Sequence, residues 1–125
     1  IRTRDKQFKL VSFGIEYVHV LQPNQYLENS KPMSTAERAV AIDPDNPWGR
    51  TATGHYSQLR TRGDDLSNAG LKFHDLSLAF EQTEEPLYID NCCHFNVRGN
   101  EILAALVADA LLESGALPSK QAKAR

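Results

Sequence analysis

Two segments of the chain have the apolar pattern expected of buried parallel strands. Residues 15–21 are dense in β-branched and aromatic side chains and stop just before Pro23, which cannot continue a strand ladder. Residues 71–76 form a second candidate strand directly after Gly70. A run that is apolar on both faces suits a parallel sheet covered by helices. We therefore predict an α/β fold with parallel strands at 15–21 and 71–76.

Helical patterns surround these strands. The chain before Gly14 is expected to close one helix, and Ser34 with Glu37 forms a capping box for a short helix that ends near residue 42. Residues 43–49 contain two prolines and a glycine, so we predict irregular structure there. The next helix is expected over residues 55–68, and its inner face comprises Tyr56, Leu59 and Leu66.

The clearest helix is the last one, predicted over residues 97–114 and packed on the sheet. Asn96 is a suitable N-cap and Gly115 a suitable stop. Between them, apolar residues recur at spacings of three and four and form one stripe: Leu103, Leu106, Val107, Ala110 and Leu111. Residues 118–125 carry three basic residues and no apolar pattern, so we expect a disordered tail.

Composition excludes several classes of function. The formal net charge of −2 gives no basic excess for a nucleic-acid partner, and no apolar run is long enough to span a membrane. The two cysteines, Cys92 and Cys93, are adjacent and have neither a CxxC nor a Cys/His ligand spacing, which argues against a zinc site. Because neighbouring cysteines bond only through a strained ring, we expect two buried thiols beside a functional residue.

The segment around His94 is the most informative for chemistry. His94 precedes the last helix, with Asp90 four residues upstream and Asn91 three residues upstream. A carboxylate folded back onto the imidazole would fix the ring tautomer and stabilise the imidazolium that forms when the ring accepts a proton. Taken as spacing alone, however, a histidine at a helix start is more often a structural cap than a catalyst.

The pattern Asp-x-x-x-His-x-Asn-x-x-Gly-Asn-x-x-x-Ala over residues 90–104 resembles the final conserved block of the SGNH, or GDSL-like, hydrolase superfamily. Other segments resemble, in order, further parts of that fold: 21–23, 31–32, 56–70, 73–77 and 85–90. The resemblance implies a three-layer α/β/α, flavodoxin-like fold with a parallel sheet. It also implies a serine that attacks an ester carbonyl, a histidine that activates this serine, and an aspartate that orients the histidine.

Transferred to this sequence, the resemblance implies that His94 is the general base and Asp90 the orienting acid. The usual position of the acid, three residues before the histidine, is occupied by Asn91, which is therefore the alternative orienting residue. An asparagine could hold the tautomer but would stabilise the imidazolium far less. The resemblance implies no metal ion and no organic cofactor.

The family's Gly-Asp-Ser, Gly and Gly-x-Asn blocks are absent from this sequence. We therefore expect residues 1–117 to be the C-terminal part of such a domain. An N-terminal segment or a second chain would complete the sheet and bring the nucleophile and the oxyanion hole. The expected substrate is a small acyl ester, with an acetylated carbohydrate favoured. The alternatives are a non-catalytic binding or scaffold domain, for which Asn91 argues, and a carbohydrate O-acyltransferase relative.

Other candidate residues have mainly structural interpretations. His19 is expected to be a core histidine with a satisfied ring. His74 and Asp75 are neighbours in a strand, so they point to opposite faces and cannot form a dyad. Trp48 and Tyr26 lie in predicted loops and fit two roles equally well: lining a carbohydrate or acyl site, or anchoring the surface.

Overall fold

A computed structural model describes residues 13–116 of the chain. Over this range the protein is mixed α/β, with three helices and a small sheet. The elements follow in the order β1 (His19–Leu21), α1 (Thr35–Ala41), α2 (Pro47–Asn68), β2 (Phe73–Asp75) and α3 (Val97–Glu113). The helix predicted before Gly14 and the tail predicted at 118–125 lie outside the described residues.

The two strands pair in parallel, as predicted. His19 lies opposite Phe73 and Leu21 opposite Asp75, and the Leu76 amide extends the ladder by donating to the Leu21 carbonyl at 2.9 Å. Each strand has three residues, so both predicted strands were too long. The prediction that residues 15–21 are buried on both faces is also wrong for this range, since β1 is half-buried throughout. The physical reason is that, within residues 13–116, the sheet has two strands and β1 has one neighbour.

Helix α1 begins as predicted but uses only half of the capping box. The Ser34 hydroxyl accepts a hydrogen bond from the Glu37 amide at 3.1 Å, which satisfies one free donor of the first turn. The Glu37 carboxylate, in contrast, is fully buried and contacts the chain near residue 87. The sequence signal therefore locates the helix start correctly and assigns the wrong partner to Glu37.

Helix α2 begins eight residues before its predicted start. Asn46 caps it by accepting a hydrogen bond from the Trp48 amide at 3.0 Å, and Pro47 occupies the first helical position. Proline is well suited to that position because its missing N–H would have no partner there. The prediction of irregular structure across 43–49 is thus wrong for its last three residues.

The packing of α2 on β2 depends on Gly63. A side-chain carbon at this position would collide with the ring of Phe73, so glycine permits the close approach of helix and strand. Tyr56 is buried on the inner face of α2, as predicted, and Leu66 is half-buried. Leu59 is 49 % exposed, which contradicts its predicted inward position.

The main apolar core lies beneath the segment that leads to His94. Phe80 and Leu87 are fully buried, and the Phe80 ring meets the Phe95 ring edge-on at 5.1 Å. Ile102 of α3 packs against this core, while at the other end of α3 Glu113 lies 3.9 Å from His74 of β2. None of the helices in residues 13–116 combines the length and apolar character required to cross a membrane.

Candidate active site

Residues 88–95 form a closed loop, here called the His94 loop. An antiparallel bridge joins Tyr88 to Phe95 at its base. The Ile89 amide donates to the His94 carbonyl at 3.1 Å, and the Asn96 amide donates to the Leu87 carbonyl at 2.8 Å. These bonds set residues 90–93 apart as a short turn in front of the start of α3.

The expected contact between Asp90 and His94 is present. Asp90 Oδ2 lies 2.6 Å from His94 Nδ1, and Asp90 Oδ1 accepts from the Cys92 amide at 2.8 Å. The side-chain bond to His94, followed by the bond from the Cys92 amide, holds the pKa of Asp90 below its ordinary value. Because an ionised carboxylate can only accept, the ring proton belongs on Nδ1, and Nε2 is left free to act as a base.

A left-handed residue explains the unusual spacing between the acid and the histidine. Cys93 has φ +67°, a conformation that costs a non-glycine residue on the order of 1–3 kcal/mol. Together with the turn closed by the Asp90–Cys92 bond, this conformation accommodates three intervening residues between Asp90 and His94. The spacing of four residues is therefore compatible with the contact between Asp90 and His94.

Asn91, the alternative orienting residue, does not contact the ring in this structure. Its side-chain amide donates to Asp43 Oδ2 at 3.2 Å. Its carbonyl accepts from the Tyr26 hydroxyl at 3.1 Å and from the Asn46 side chain at 2.8 Å. The Gln25 side chain donates to the carbonyl of Asp90, the preceding residue, at 3.2 Å. Asn91 therefore anchors the loop, and Asp90 is the residue that contacts His94.

A buried ion pair supports the base of the His94 loop. Lys31 Nζ donates to Glu37 Oε2 and to the carbonyls of Pro32 and Thr83, each at 2.9 Å. Glu37 Oε1 accepts from the amides of Leu87 and Tyr88 at 2.7 and 2.9 Å. Both charged side chains are 0 % exposed. We call this pair the buried clamp. It fixes the backbone just before Asp90.

Sequence reasoning missed the buried clamp. Lysine and glutamate are almost never fully buried unless they are paired, and their pairing is invisible without the fold. The available signals were the Lys31-Pro32 dipeptide and a Glu37 that fits a capping box, and neither signal indicates a contact with residues about 50 positions away.

The residues that follow His94 in the motif have structural roles. Asn96 caps α3 by accepting from the Gly99 amide at 2.9 Å, and its side chain donates to the Pro86 carbonyl at 2.7 Å. The Asn100 side chain donates to the Phe95 carbonyl at 3.1 Å. These bonds attach the end of the His94 loop to the first turn of α3.

The two cysteines are free thiols. Cys92 is exposed and Cys93 half-buried, so the expectation of two buried thiols is wrong. The turn that carries them faces outward because the bridge between Tyr88 and Phe95 holds its two ends inward. Burial, with smaller contributions from Cys92 and Asp90, raises the pKa of the Cys93 thiol, which disfavours the nucleophilic thiolate.

The remaining titratable candidates are held in structural contacts. His19 stacks on Phe73, with 5.5 Å between ring centroids, and its Nδ1 lies 2.9 Å from the Tyr17 hydroxyl. Asp75 Oδ2 accepts from Arg60 at 2.7 Å. Burial opposes ionisation of Asp75, but hydrogen bonds from Ser77 and Arg60 outweigh it and lower its pKa. Neither residue contacts His94 through a hydrogen bond in residues 13–116.

An apolar hollow of about 280 Å³ adjoins the His94 loop. We define it by Tyr26, Trp48, Ala52, Tyr56, Leu59 and Cys93, which are among its lining residues. The structure thus brings together Tyr26 and Trp48, the two aromatic residues for which a site was considered. Burial, followed by the nearby Cys93 and Asp75, raises the pKa of Tyr56 to about 12, so its hydroxyl stays protonated and donates to the Gln22 carbonyl.

Comparison of the chain with known proteins finds no relative. No protein-family model matches the chain, and no curated protein or solved structure matches it. Across the part of the chain that the structure describes, no group of three or more His, Cys, Asp or Glu side chains is arranged to hold a metal ion. The function is therefore argued from the His94 loop and its surroundings.

Proposed function

We propose that this chain supplies the general base and the orienting acid of a serine ester hydrolase of the SGNH, or GDSL-like, type. The observation that carries the proposal is the 2.6 Å contact between Asp90 Oδ2 and His94 Nδ1 on a surface loop. The side chain of His94 is 66 % exposed and that of Asp90 41 % exposed, so a substrate can reach the pair.

In the proposed mechanism, His94 Nε2 accepts the proton of a serine hydroxyl while the serine oxygen attacks the ester carbonyl. Asp90 stabilises the resulting imidazolium and keeps the ring in the required tautomer. His94 then donates the proton to the departing alcohol oxygen. In the second half of the cycle His94 takes a proton from a water molecule whose oxygen attacks the acyl carbonyl. The bond to the serine oxygen then breaks, His94 returns the proton to that oxygen, and the acyl group leaves as the carboxylic acid.

We propose that the serine belongs to a segment outside residues 13–116. Within that range Ser30 donates to Asn24, Ser67 to Phe73 and Ser114 to Leu111, Ser34 caps α1, and Ser77 is fully buried. Ser57 is exposed within α2, away from a turn that follows a strand, which is the setting expected of the nucleophile. The same segment would bring the oxyanion hole and add strands beside β1, which completes a three-layer α/β/α fold. The half-buried state of β1 supports this arrangement.

The proposed substrate is a small acyl ester, and transfer of the acyl group to a second alcohol would use the same side chains. A non-catalytic binding domain is the competing function, and Asn91 was the reason to consider it. That reason is weakened because His94 contacts Asp90, which has the charge that Asn91 lacks.

Hydrolysis of p-nitrophenyl acetate by the full-length protein tests the proposal. We expect His94→Ala to lower kcat by a factor on the order of 10⁴ to 10⁶, since members of such a triad act as a unit. The matched control is His74→Gln, which alters a histidine near Glu113 instead of the His94 loop. Equal rates in the wild type and in His94→Ala would remove His94 from the mechanism and favour the binding domain.

A further inference from the structure

The apolar hollow is formed by one face of α2 opposite the His94 loop. Trp48, Ala52 and Leu59 follow one another along the helix at spacings of four and seven, which places them in one stripe. Cys93, the residue before His94, lies across from this stripe as part of the same lining. A group bound in the hollow would therefore contact the residue that precedes the proposed general base.

Three polar side chains around the hollow are engaged with the protein itself, and His55, which lies between Ala52 and Leu59 on α2, is a further polar residue of the lining. The Tyr56 hydroxyl donates to the Gln22 carbonyl, the Tyr26 hydroxyl to the Asn91 carbonyl and the Thr51 hydroxyl to the Pro47 carbonyl. The exposed surface of the lining is nevertheless predominantly apolar, so a sugar bound here would find few partners for its hydroxyl groups. The lining therefore suits a hydrocarbon group better than a carbohydrate.

Two large apolar side chains at the hollow remain in contact with solvent. Trp48 is 72 % exposed and Leu59 is 49 % exposed. A single exposed leucine is ordinary, but two large exposed apolar residues at the two ends of one stripe, along a concave apolar surface, favour a ligand site. The volume of about 280 Å³ is near the lower end of the range for ligand pockets, roughly 300–1,000 Å³, and leaves room for a hydrocarbon chain.

We propose that the hollow binds a hydrocarbon chain of the ester substrate. This inference rests on the proposed ester hydrolase and specifies its substrate class: the substrate carries a chain of medium length in addition to the reacting ester group. The chain belongs either to the acyl group or to the alcohol. Each methylene buried in the hollow should tighten binding up to about fourfold, the equivalent of about 0.8 kcal/mol.

Binding is measured separately from catalysis in full-length His94→Ala protein, which retains the residues that define the hollow. The probes are ethyl octanoate, octyl acetate, ethyl acetate and glucose, and the signal is tryptophan fluorescence, assigned to Trp48 by its loss in Trp48→Phe. We expect both eight-carbon esters to shift the emission to shorter wavelength and to saturate, with ethyl acetate far weaker and glucose without effect. No shift with either long ester, or a stronger shift with glucose, would overturn the proposal.

Substitutions at two lining residues test whether the ligand binds in the hollow. Ala52→Phe should abolish the shift by filling the space, whereas Ala108→Phe on an exposed position of α3 should not. Leu59→Asn, at a position that is already half exposed, should weaken binding about fivefold without disturbing the fold. Undiminished binding in both Ala52→Phe and Leu59→Asn would place the ligand elsewhere and refute the proposal.

Values of kcat/KM for the wild-type protein then show whether the hydrocarbon chain belongs to the acyl group or to the alcohol. They also test the ester hydrolase function separately from the hydrocarbon site. A higher kcat/KM for ethyl octanoate than for ethyl acetate assigns the chain to the acyl side, and a higher value for octyl acetate assigns it to the alcohol side. Binding in the hollow without hydrolysis of any ester would contradict the hydrolase function while leaving the hydrocarbon site intact.

Discussion

Two pairs of one acidic and one basic side chain occupy contrasting environments in this protein. Lys31 and Glu37 are 2.9 Å apart and fully buried, whereas Asp90 and His94 are 2.6 Å apart and largely exposed. The first pair has its donors and both carboxylate oxygens bonded to the protein. In the second pair, no hydrogen bond reaches His94 Nε2 from within residues 13–116.

The two pairs have different roles: the buried pair fixes geometry, and the exposed pair is the one to which we assign chemistry. A buried ion pair adds little net stability over an apolar packing, but it fixes geometry because breaking it is costly. The Glu37 carboxylate accepts hydrogen bonds from the amides of Leu87 and Tyr88, which lie three and two residues before Asp90. It thereby positions the backbone that carries the exposed pair. The exposed pair contributes little to stability. Its free ring nitrogen is the atom to which we assign the proposed base.

The largest expected effect is on the rate of ester hydrolysis. Asp90→Asn removes the charge that stabilises the imidazolium, and we expect kcat to fall by a factor on the order of 10⁴. Steady-state hydrolysis of p-nitrophenyl acetate by the full-length protein measures this change. Because the pair is exposed, the urea midpoint of unfolding should stay close to that of the wild type.

Asn91→Ala is the matched control for the neighbouring residue. The Asn91 side chain contacts Asp43 and not the ring, so a much smaller loss of rate is expected. If Asn91→Ala lowered kcat as much as Asp90→Asn, the assignment of the orienting role to Asp90 would be wrong.

Changes in the buried clamp should affect the stability of the fold, whereas changes in the exposed pair should affect the rate. Glu37→Ala leaves the Lys31 charge buried without its partner and frees two backbone amides, so we expect the free energy of unfolding to fall by about 3–5 kcal/mol. Urea unfolding followed by circular dichroism measures it. The double variant Lys31→Met with Glu37→Met should be less destabilised than Glu37→Ala, because no unpaired charge remains.

The exposed carboxylate of Glu85 provides a comparison for Glu37. It lies 3.1 Å from Arg98 on the surface, and Glu85→Ala should leave the unfolding midpoint nearly unchanged. Equal destabilisation by Glu85→Ala and Glu37→Ala would contradict the special role of the buried clamp.

Features determined by local chemistry were predictable from the sequence. The last helix was predicted within one residue because Asn96 and Gly115 mark its ends. The parallel pairing of the two strands was also predicted, but their lengths depend on neighbours that a sequence pattern does not reveal. Pro47 contributed to the prediction of irregular structure across 43–49, because its role as a first-turn residue depends on the cap at Asn46.

Features that depend on distant contacts were not predictable. The inward turn of Glu37 requires Leu87 and Tyr88 to lie above it, about 50 residues further along the chain. Leu59 follows the apolar period of α2, yet it lies at the hollow instead of the core. The resemblance to the SGNH motif identified Asp90 and His94 as candidates, but the left-handed Cys93 that brings them together is a conformational feature.

The smallest effect concerns the titration of Asp90. The bond to His94 is the largest cause of its lowered pKa, so its carboxyl carbon in an NMR titration should have a midpoint below the ordinary value of about 3.9. In His94→Ala the midpoint should rise toward that value, and it should remain slightly lower because the Cys92 amide still donates to Oδ1.

The direction of this shift determines its effect on stability. Because the pKa of Asp90 is lower in the folded than in the unfolded protein, its contribution to folding is present above about pH 3.9 and is lost as the pH falls through the folded value. At neutral pH Asp90 is therefore ionised, as its proposed role requires. In Asn91→Ala the Asp90 midpoint should match the wild type, since Asn91 donates to neither carboxylate oxygen. A midpoint in the wild type at or above the ordinary value would show that the contact between Asp90 and His94 does not persist in solution, and the proposed orientation of His94 would lose its basis.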